Sequence, residues 1–254
     1  MQAVILAGGM GTRLGDITNT IPKPMVRINN KPLLVHIMNL YIKYGVSDFI
    51  ICLGYKGEII KEYFLNYNFY NSDFEVDISR NKLKFLNKEK QNFKIKLIDT
   101  GINSGTIGRL IDVKKYIKGK EFFLTYGDGL SNVNLDLLLK HHKRNNKMIT
   151  LTSVRPPGRF GSIEFKNGNI FSFNEKRYNS WINGGFFVLN KKALQFIETK
   201  EQMLEETYLQ NLIKKNQVSI YKHKGIWQCI DTKRDLDYLK NIMKNNNSFF
   251  TNEN

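Results

Sequence analysis

Cysteine is almost missing from this chain of 254 residues: Cys52 and Cys229 are the whole complement. Two thiols cannot make a disulfide framework, and no CxxC pair or Cys/His cluster offers zinc a site. Long apolar runs are missing too. No stretch approaches the ~20 apolar residues of a membrane-spanning helix. The opening MQAVILAGG has no basic segment, and its apolar run is too short for a secretory leader. A soluble protein of the cytoplasm is the expectation. Proline is scarce, five in all, no stretch reads as a linker between independent domains, and there is no internal repeat. The expected organisation is one domain over residues 1–244 and a polar, frayed tail at 245–254.

Acidic residues are few: 23 Asp+Glu stand against 39 Lys+Arg, a formal charge of +16. Such a balance fits polyanionic company, whether nucleic acid, an anionic membrane surface or phosphorylated small molecules. The lysines are spread through the chain, often beside Asn, as in 82–90 and 240–247. That distribution reads as a solvated coat. No zinc finger, helix-turn-helix pattern or RNP-like aromatic strand accompanies it, so a nucleic-acid partner is not expected.

What is present is an alternation of strands and helices. Ala3–Ala7 (AVILA) is a continuous apolar run ending in glycines, the pattern of a buried parallel strand. Pro32–Tyr44 has helical periodicity through Leu33, Ile37, Leu40 and Tyr41, and Gly45 stops it. The same reading predicts strands over 48–53, 94–99, 121–126, 148–154 and 185–189. It predicts helices over 57–67, 108–117, 134–145, 203–214 and 233–244. Residues 73–89 read as an inserted hairpin or a long loop, and 161–173 as a hairpin turning at Gly168. The fold class is α/β: a Rossmann-like mixed sheet, mostly parallel, flanked by helices and carrying hairpin insertions.

The first strand runs into Leu6-Ala7-Gly8-Gly9-Met10-Gly11-Thr12-Arg13-Leu14. Glycines let backbone N–H groups approach an anion closely, and Arg13 adds a fixed positive charge. A phosphate cradle is favoured over a bare tight turn. It is neither the dinucleotide fingerprint, since Leu14 stands where the last glycine is wanted, nor a P-loop. Lys23 follows between Pro22 and Pro24, which stiffen the segment and present the lysine with little entropy to lose. The four histidines, His36, His141, His142 and His223, have no carboxylate or Cys at metal-like spacing and read as structural or exposed.

LAGGxGTRL followed by PKPM resembles the signature of the sugar nucleotidyltransferases. Asp99-Thr100-Gly101, Ser104, Thr106, Gly108-Arg109-Leu110, TYGDG, PPGRFG, INGGFFVL and Trp227…Asp231-Thr232…Arg234-Asp235 narrow the resemblance to the glucose-1-phosphate cytidylyltransferases, nearly end to end. It implies that CTP and α-D-glucose 1-phosphate become CDP-glucose and pyrophosphate, with no protein nucleophile. Catalysis would then be positioning and charge neutralisation.

The resemblance also implies roles. The nucleotide would be held by Leu6, Ala7, Gly8, Gly9, Met10, Gly11, Thr12, Arg13, Lys23, Thr100, Ser104, Thr106, Arg109 and Gly127. Arg13 and Lys23 are the catalytic pair. Mg²⁺ would be bound by Asp128 and Asp231, although Asp128 could equally serve its turn and Asp231 could cap a helix. Glu175, Lys176, Asn183 and Gly184 would hold the sugar phosphate. A homo-oligomer is implied, a hexamer being one such form, with 68–93 a candidate contact; so is a place in making nucleotide sugars for surface polysaccharide.

Departures from the pattern are local. The usual EKPxGD is replaced by Glu175-Lys176-Arg177-Tyr178-Asn179-Ser180, WExEPL by Leu204-Glu205-Glu206-Thr207-Tyr208-Leu209, SMTGGRL by Ser104-Gly105-Thr106-Ile107-Gly108-Arg109-Leu110, and KPKPM by Ile21-Pro22-Lys23-Pro24-Met25. The triphosphate and metal residues survive, while changes gather near the acceptor. The same chemistry with another acceptor phosphate or another nucleotide is the alternative expectation.

Overall fold

The computed structural model describes residues 1–86, 92–156, 162–166, 169–174 and 181–245. Its centre is a sheet of β1 (Gln2–Leu6), β2 (Asp48–Leu53), β3 (Lys94–Asp99), β4 (Glu121–Tyr126), β5 (Ile149–Val154), β6 (Ile182–Asn190) and β7 (Val218–Lys222). Their spatial order is β7-β5-β6-β4-β1-β2-β3. All neighbours run parallel except β6, which is antiparallel to both β4 and β5. The mixed, mostly parallel sheet expected from the alternation is therefore present.

β1 explains its own composition. Ala3 and Ile5 enter one core and Val4 and Leu6 the other, because successive strand side chains face opposite ways. Covered on both faces, the strand is apolar from Ala3 to Leu6, and the buried Gln2 at its start is satisfied by Asp48, the Tyr116 carbonyl and the Lys118 amide. The first core takes α1 (Leu33–Lys43), Ile60 and Tyr63 of α2 (Gly57–Leu65), Leu135 and Leu138 of α3 (Leu135–Asn145), and Leu236, Leu239 and Met243 of α4 (Lys233–Asn245). The second takes Leu110, Val113, Leu204, Tyr208, Leu209 and Leu212.

Several element boundaries differ from the periodicity. The helix expected over 57–67 stops at Leu65, and Tyr67–Asn71 is a separate short helix. At the break, the Asn66 side chain donates to the Glu62 carbonyl at 3.1 Å and competes with the helical ladder. Phe74–Asp77 and Lys82–Phe85 pair as an antiparallel hairpin within the irregular 73–89 stretch, whose last residues lie outside those described. Ser162–Lys166 pairs with Asn169–Asn174 as expected, and the turn at 167–168 is outside the described residues, as is the tail from 246 on. The 108–117 helix is shorter, Leu110–Val113 followed by a 3-10 turn at Lys114–Tyr116. The 203–214 helix divides into a π turn, Leu204–Tyr208, and an α-helix, Leu209–Lys214. β7 and a two-stranded ribbon, Gly129–Ser131 with Trp227–Cys229, were not foreseen.

Candidate active site

The strand order reverses direction between β1 and β4, and loops leaving the carboxyl ends of such strands open a crevice. From β1 leaves the glycine-rich loop; from β4 leaves Gly127-Asp128, fastened by the Gly127 amide donating to the Leu6 carbonyl at 2.9 Å. Backbone amides from Gly8 to Arg13 donate to no group among the described residues. Gly11 makes the turn possible: its φ is +65°, and a Cβ there would stand 3.0 Å from Cβ of Lys23. A row of free amides with Arg13 beside it is an anion cradle.

Lys23 begins a 3-10 turn, Lys23–Met25, and is buried. Its Nζ donates to Asp128 Oδ2 at 2.9 Å and to Asp231 Oδ1 at 2.8 Å, while Arg13 Nη1 donates to Asp231 Oδ2 at 3.1 Å. Burial by itself would lower the Lys23 pKa, but Asp128 and Asp231 outweigh it and hold it above its usual value. Burial by itself would raise Asp231; hydrogen bonding and attraction from Lys23, with Arg13 assisting, hold it below the usual carboxylate range. Both groups are charged at neutral pH.

The ribbon brings the two acids together. Gly129 pairs with Cys229, and the Ile230 amide donates to the Asp128 carbonyl at 2.9 Å, which sets Asp231 opposite Asp128. Asp231 does not cap α4. That task falls to Thr232 and Asp235, whose side chains and amides exchange hydrogen bonds at 2.9 and 3.2 Å in a capping box and leave the Asp231 carboxylate facing the crevice.

The crevice has two lobes. One, of about 330 Å³, is lined by the glycine loop, Lys23, Ser104, Thr106, Arg109, Tyr126, Gly127 and Met203; the other, of about 180 Å³, by Asn183, Gly184, Gly185 and Trp227. Arg13, Tyr126, Asp128 and Asp231 line both. Two reactants entering from opposite lobes would meet at the Lys23–acid cluster.

Not every expected contact faces the crevice. Thr100 is buried behind it, donating to the Leu53 carbonyl at 2.7 Å and accepting from Arg109 at 2.8 Å. It supports Arg109 instead of presenting its hydroxyl to a ligand. Arg109 reaches the lobe, but its guanidinium is occupied by the carbonyls of Leu53, Gly101 and Gly8 as well as by Thr100. Burial lowers its pKa. Met10 is exposed and lines neither lobe. Glu175 and Lys176 lie outside the described residues.

Asn183 and Gly184 line the smaller lobe, where Trp227 Nε1 donates to the Gly184 carbonyl at 2.7 Å. Tyr126 and Met203 also line the crevice, although neither is among the residues expected there from sequence, and Glu205 lines neither lobe but accepts from Tyr126 and Asn183. Tyr126 stands next to the Gly-Asp-Gly turn and Glu205 falls in the 204–209 departure, the two positional hints the sequence carried.

Among the described residues no three His, Cys, Asp or Glu side chains converge as a metal cage. Yet two carboxylate oxygens already converge on one cation, the Lys23 ammonium. A donor set of hard oxygens fits Mg²⁺, provided phosphate oxygens and water complete it. Asp128 and Asp231 are the residues that would hold it.

Residues 2–244 match the family described as Nucleotidyl transferase. The chain is 44% identical over 245 residues to the glucose-1-phosphate cytidylyltransferase of Salmonella typhimurium, covering 95% of each chain. It is equally similar, 44% over 95% of each, to the protein of that name from Salmonella typhi. The crystal structure of HddC from Yersinia pseudotuberculosis shares the fold with a TM-score of 0.70 at 24% identity, covering 95% of this chain and 99% of that one. No helix among the described residues is long and apolar enough to cross a membrane. The chain belongs to the nucleotidyl transferase family, with glucose-1-phosphate cytidylyltransferases among its relatives.

Proposed function

We propose that the protein transfers a cytidylyl group from CTP to α-D-glucose 1-phosphate, giving CDP-glucose and pyrophosphate. The observation that carries this reading is the cluster of Arg13, Lys23, Asp128 and Asp231 at the junction of the two lobes. CTP lies in the larger lobe with its phosphates on the free amides of the glycine loop. The sugar phosphate enters from the smaller lobe past Asn183 and Gly184. Its phosphate oxygen attacks the α-phosphorus in line, the bond to the bridging oxygen breaks, and pyrophosphate leaves with the electron pair.

Arg13 and the loop amides bind the charge that develops on pyrophosphate. The Lys23 ammonium turns from the carboxylates toward the α-phosphoryl oxygens and draws electron density from phosphorus. Mg²⁺ on Asp128 and Asp231, when bound, neutralises phosphate charge.

Pyrophosphate release is the test, measured over CTP, UTP, dTTP and GTP against a panel of sugar 1-phosphates. The expected result is a preference for CTP with glucose 1-phosphate. Turnover only with another triphosphate or acceptor replaces that pair, and no turnover with CTP and any hexose 1-phosphate overturns the reading.

We also infer a homo-oligomer of cytosolic subunits. Phe74 faces Phe85 and Val76 faces Leu83 across the 74–85 hairpin, so one face is apolar. Much of it is exposed: Phe74 42%, Val76 48% and Leu83 45%. Its opposite face pairs Glu75 with Lys84 and Asp77 with Lys82. In a chain of +16 such a charge-balanced surface is where two copies meet with least repulsion.

A further inference from the structure

Residues 200–208 line the larger lobe through Met203 and hydrogen-bond residues that line the smaller one. On the nucleotide side the attachment is backbone to backbone. The Gly105 amide donates to the Lys200 carbonyl at 2.7 Å, and the Gly108 amide to the Gln202 carbonyl at 3.2 Å. A Cβ on Gly108 would stand 2.0 Å from the Lys200 carbonyl oxygen, so the two chains pack with no room for a side chain between them. Thr106 Oγ1 accepts from the Leu204 amide at 2.8 Å, and Lys200 pairs with Asp112 at 2.7 Å. Met203 itself lines the larger lobe. The 104–109 wall and residues 200–204 therefore move as one body.

Two residues later the same segment reaches the other lobe. Glu205 Oε1 accepts from the Tyr126 hydroxyl and from Asn183 Nδ2, the latter at 3.2 Å. The other Asn183 side-chain atom, Oδ1, accepts from the Gly185 amide at 2.9 Å. Glu205 and the Gly185 amide together hold the Asn183 amide and so set which way its remaining N–H faces. Glu205 sits in the π turn Leu204–Tyr208, where the helix holds more residues per turn than the α-helix that follows. π turns of this kind are frequent at functional sites. The base of the turn is pinned by Tyr208 donating to the Ala193 carbonyl at 2.9 Å. The segment is joined to one lobe by backbone hydrogen bonds, fixed at its base, and, among the described residues, joined to the other lobe through side-chain hydrogen bonds.

We propose that residues 200–208 couple the two substrates, each raising the affinity for the other, with Glu205 as the positioning residue that carries the coupling. This rests on the two-substrate reading above. A triphosphate against the 104–109 wall fixes residues 200–204, and with them the place from which Glu205 holds Asn183 and Tyr126. An acceptor that engages Asn183 and Tyr126 favours the same placement from the other side. Coupling of this kind is reciprocal by thermodynamic necessity.

The test is calorimetric titration of a non-reactive CTP analogue with a methylene group between the α- and β-phosphates, with and without glucose 1-phosphate. In the unaltered protein each ligand is expected to tighten the other by the same factor, about 5–150-fold. Glu205→Ala is expected to bring that factor close to one while the analogue alone binds as before. Glu205→Gln keeps an oxygen that accepts from both Tyr126 and Asn183, and retains most of the coupling. It also keeps the proposal testable should the alanine variant fold poorly.

Independent binding in the unaltered protein, or coupling that survives Glu205→Ala, overturns the proposal. So does an equal loss of affinity for the analogue alone, which marks a merely structural role. Failure of the unaltered protein to bind either ligand is a different result, because it removes the two-substrate reading itself.

Discussion

At the scale of single residues, the site turns on the Lys23 ammonium sitting where two carboxylates converge. Lys23→Met leaves Asp128 and Asp231 facing each other with Arg13 alone to offset them, and takes away the group proposed to turn toward the α-phosphoryl oxygens. The expected outcome is a loss of about 10²–10³-fold in kcat, the size seen when one preorganised charge donor is removed. The variant should also melt at a lower temperature in EDTA and gain more from added Mg²⁺ than the unaltered protein, since a divalent cation then fills the vacated place. Thermal denaturation with and without Mg²⁺ checks this, and equal Mg²⁺ responses would refute it. Arg109 gives a second case. Arg109→Met strips hydrogen bonds donated by a charged group to the Leu53, Gly101 and Gly8 carbonyls and the Thr100 hydroxyl, each worth about 1.5–3 kcal/mol. A marked fall in melting temperature together with weaker CTP binding is expected, because the clamp also fixes the Gly8 carbonyl of the loop. Motif spacing made the residue types at this site legible. Orientation was not: nothing local in the sequence says that Thr100 turns inward or that carbonyls brought in from Gly8 and Leu53 occupy the Arg109 guanidinium.

At the scale of elements, legibility followed apolar continuity and periodicity. β1, β2 and α1 have continuous or periodic apolar patterns and could be read directly. β7 is as long as β1 but is broken by Ser219 and ends at Lys222, the Gly129–Ser131/Trp227–Cys229 ribbon has three residues a strand, and partners distant in sequence make them strands. Yet that ribbon assembles the site, because it carries Asp231 to Asp128. The π turn could not be read at all, since 203–214 has ordinary helical periodicity and the irregularity comes from tertiary bonds at both ends. The 74–85 hairpin is where an element predicts an assembly. Two strands alone are marginal in water, and among the described residues edge-on contacts of Phe69 with Phe74 and Phe85, at 5.6 and 5.3 Å, help cover the apolar face. Val76→Lys places a charge in that face without touching the crevice. Sedimentation should show the oligomer shifting toward monomer, with activity per subunit largely kept. An unchanged mass distribution would mean that copies of the chain do not meet there.

At the scale of the whole molecule, the alternation of strands and helices was enough for the fold class, and the first hint about function was the charge of +16. Few of those charges bear on the site. Arg13 and Lys23 line the crevice, and Arg109 braces its loop, whereas Lys82, Lys84, Lys240 and Lys244 are exposed and line neither lobe. What the sequence could not reveal is the burial of three of its four histidines. His36, His142 and His223 are all buried, and burial lowers each pKa from 6.5. His36 Nε2 lies 2.9 Å from the Ile28 carbonyl, and His142 Nδ1 lies 2.8 Å from Thr150 Oγ1. Because the folded values are depressed, the unfolded chain takes up protons first. The stabilising contribution is therefore intact above pH 6.5 and is lost as pH falls through the folded values. The melting temperature should accordingly decline on acidification below pH 6.5, before the carboxylates titrate. His142→Gln keeps an amide that can bond Thr150 but takes up no proton, so its melting temperature should decline less steeply over the same window. A flat or rising profile in the unaltered protein, or an unaltered slope in the variant, would show that these histidines do not set the acid limit. The +16 surface strengthens the expectation, since every further proton taken up on acidification must enter an already crowded positive field.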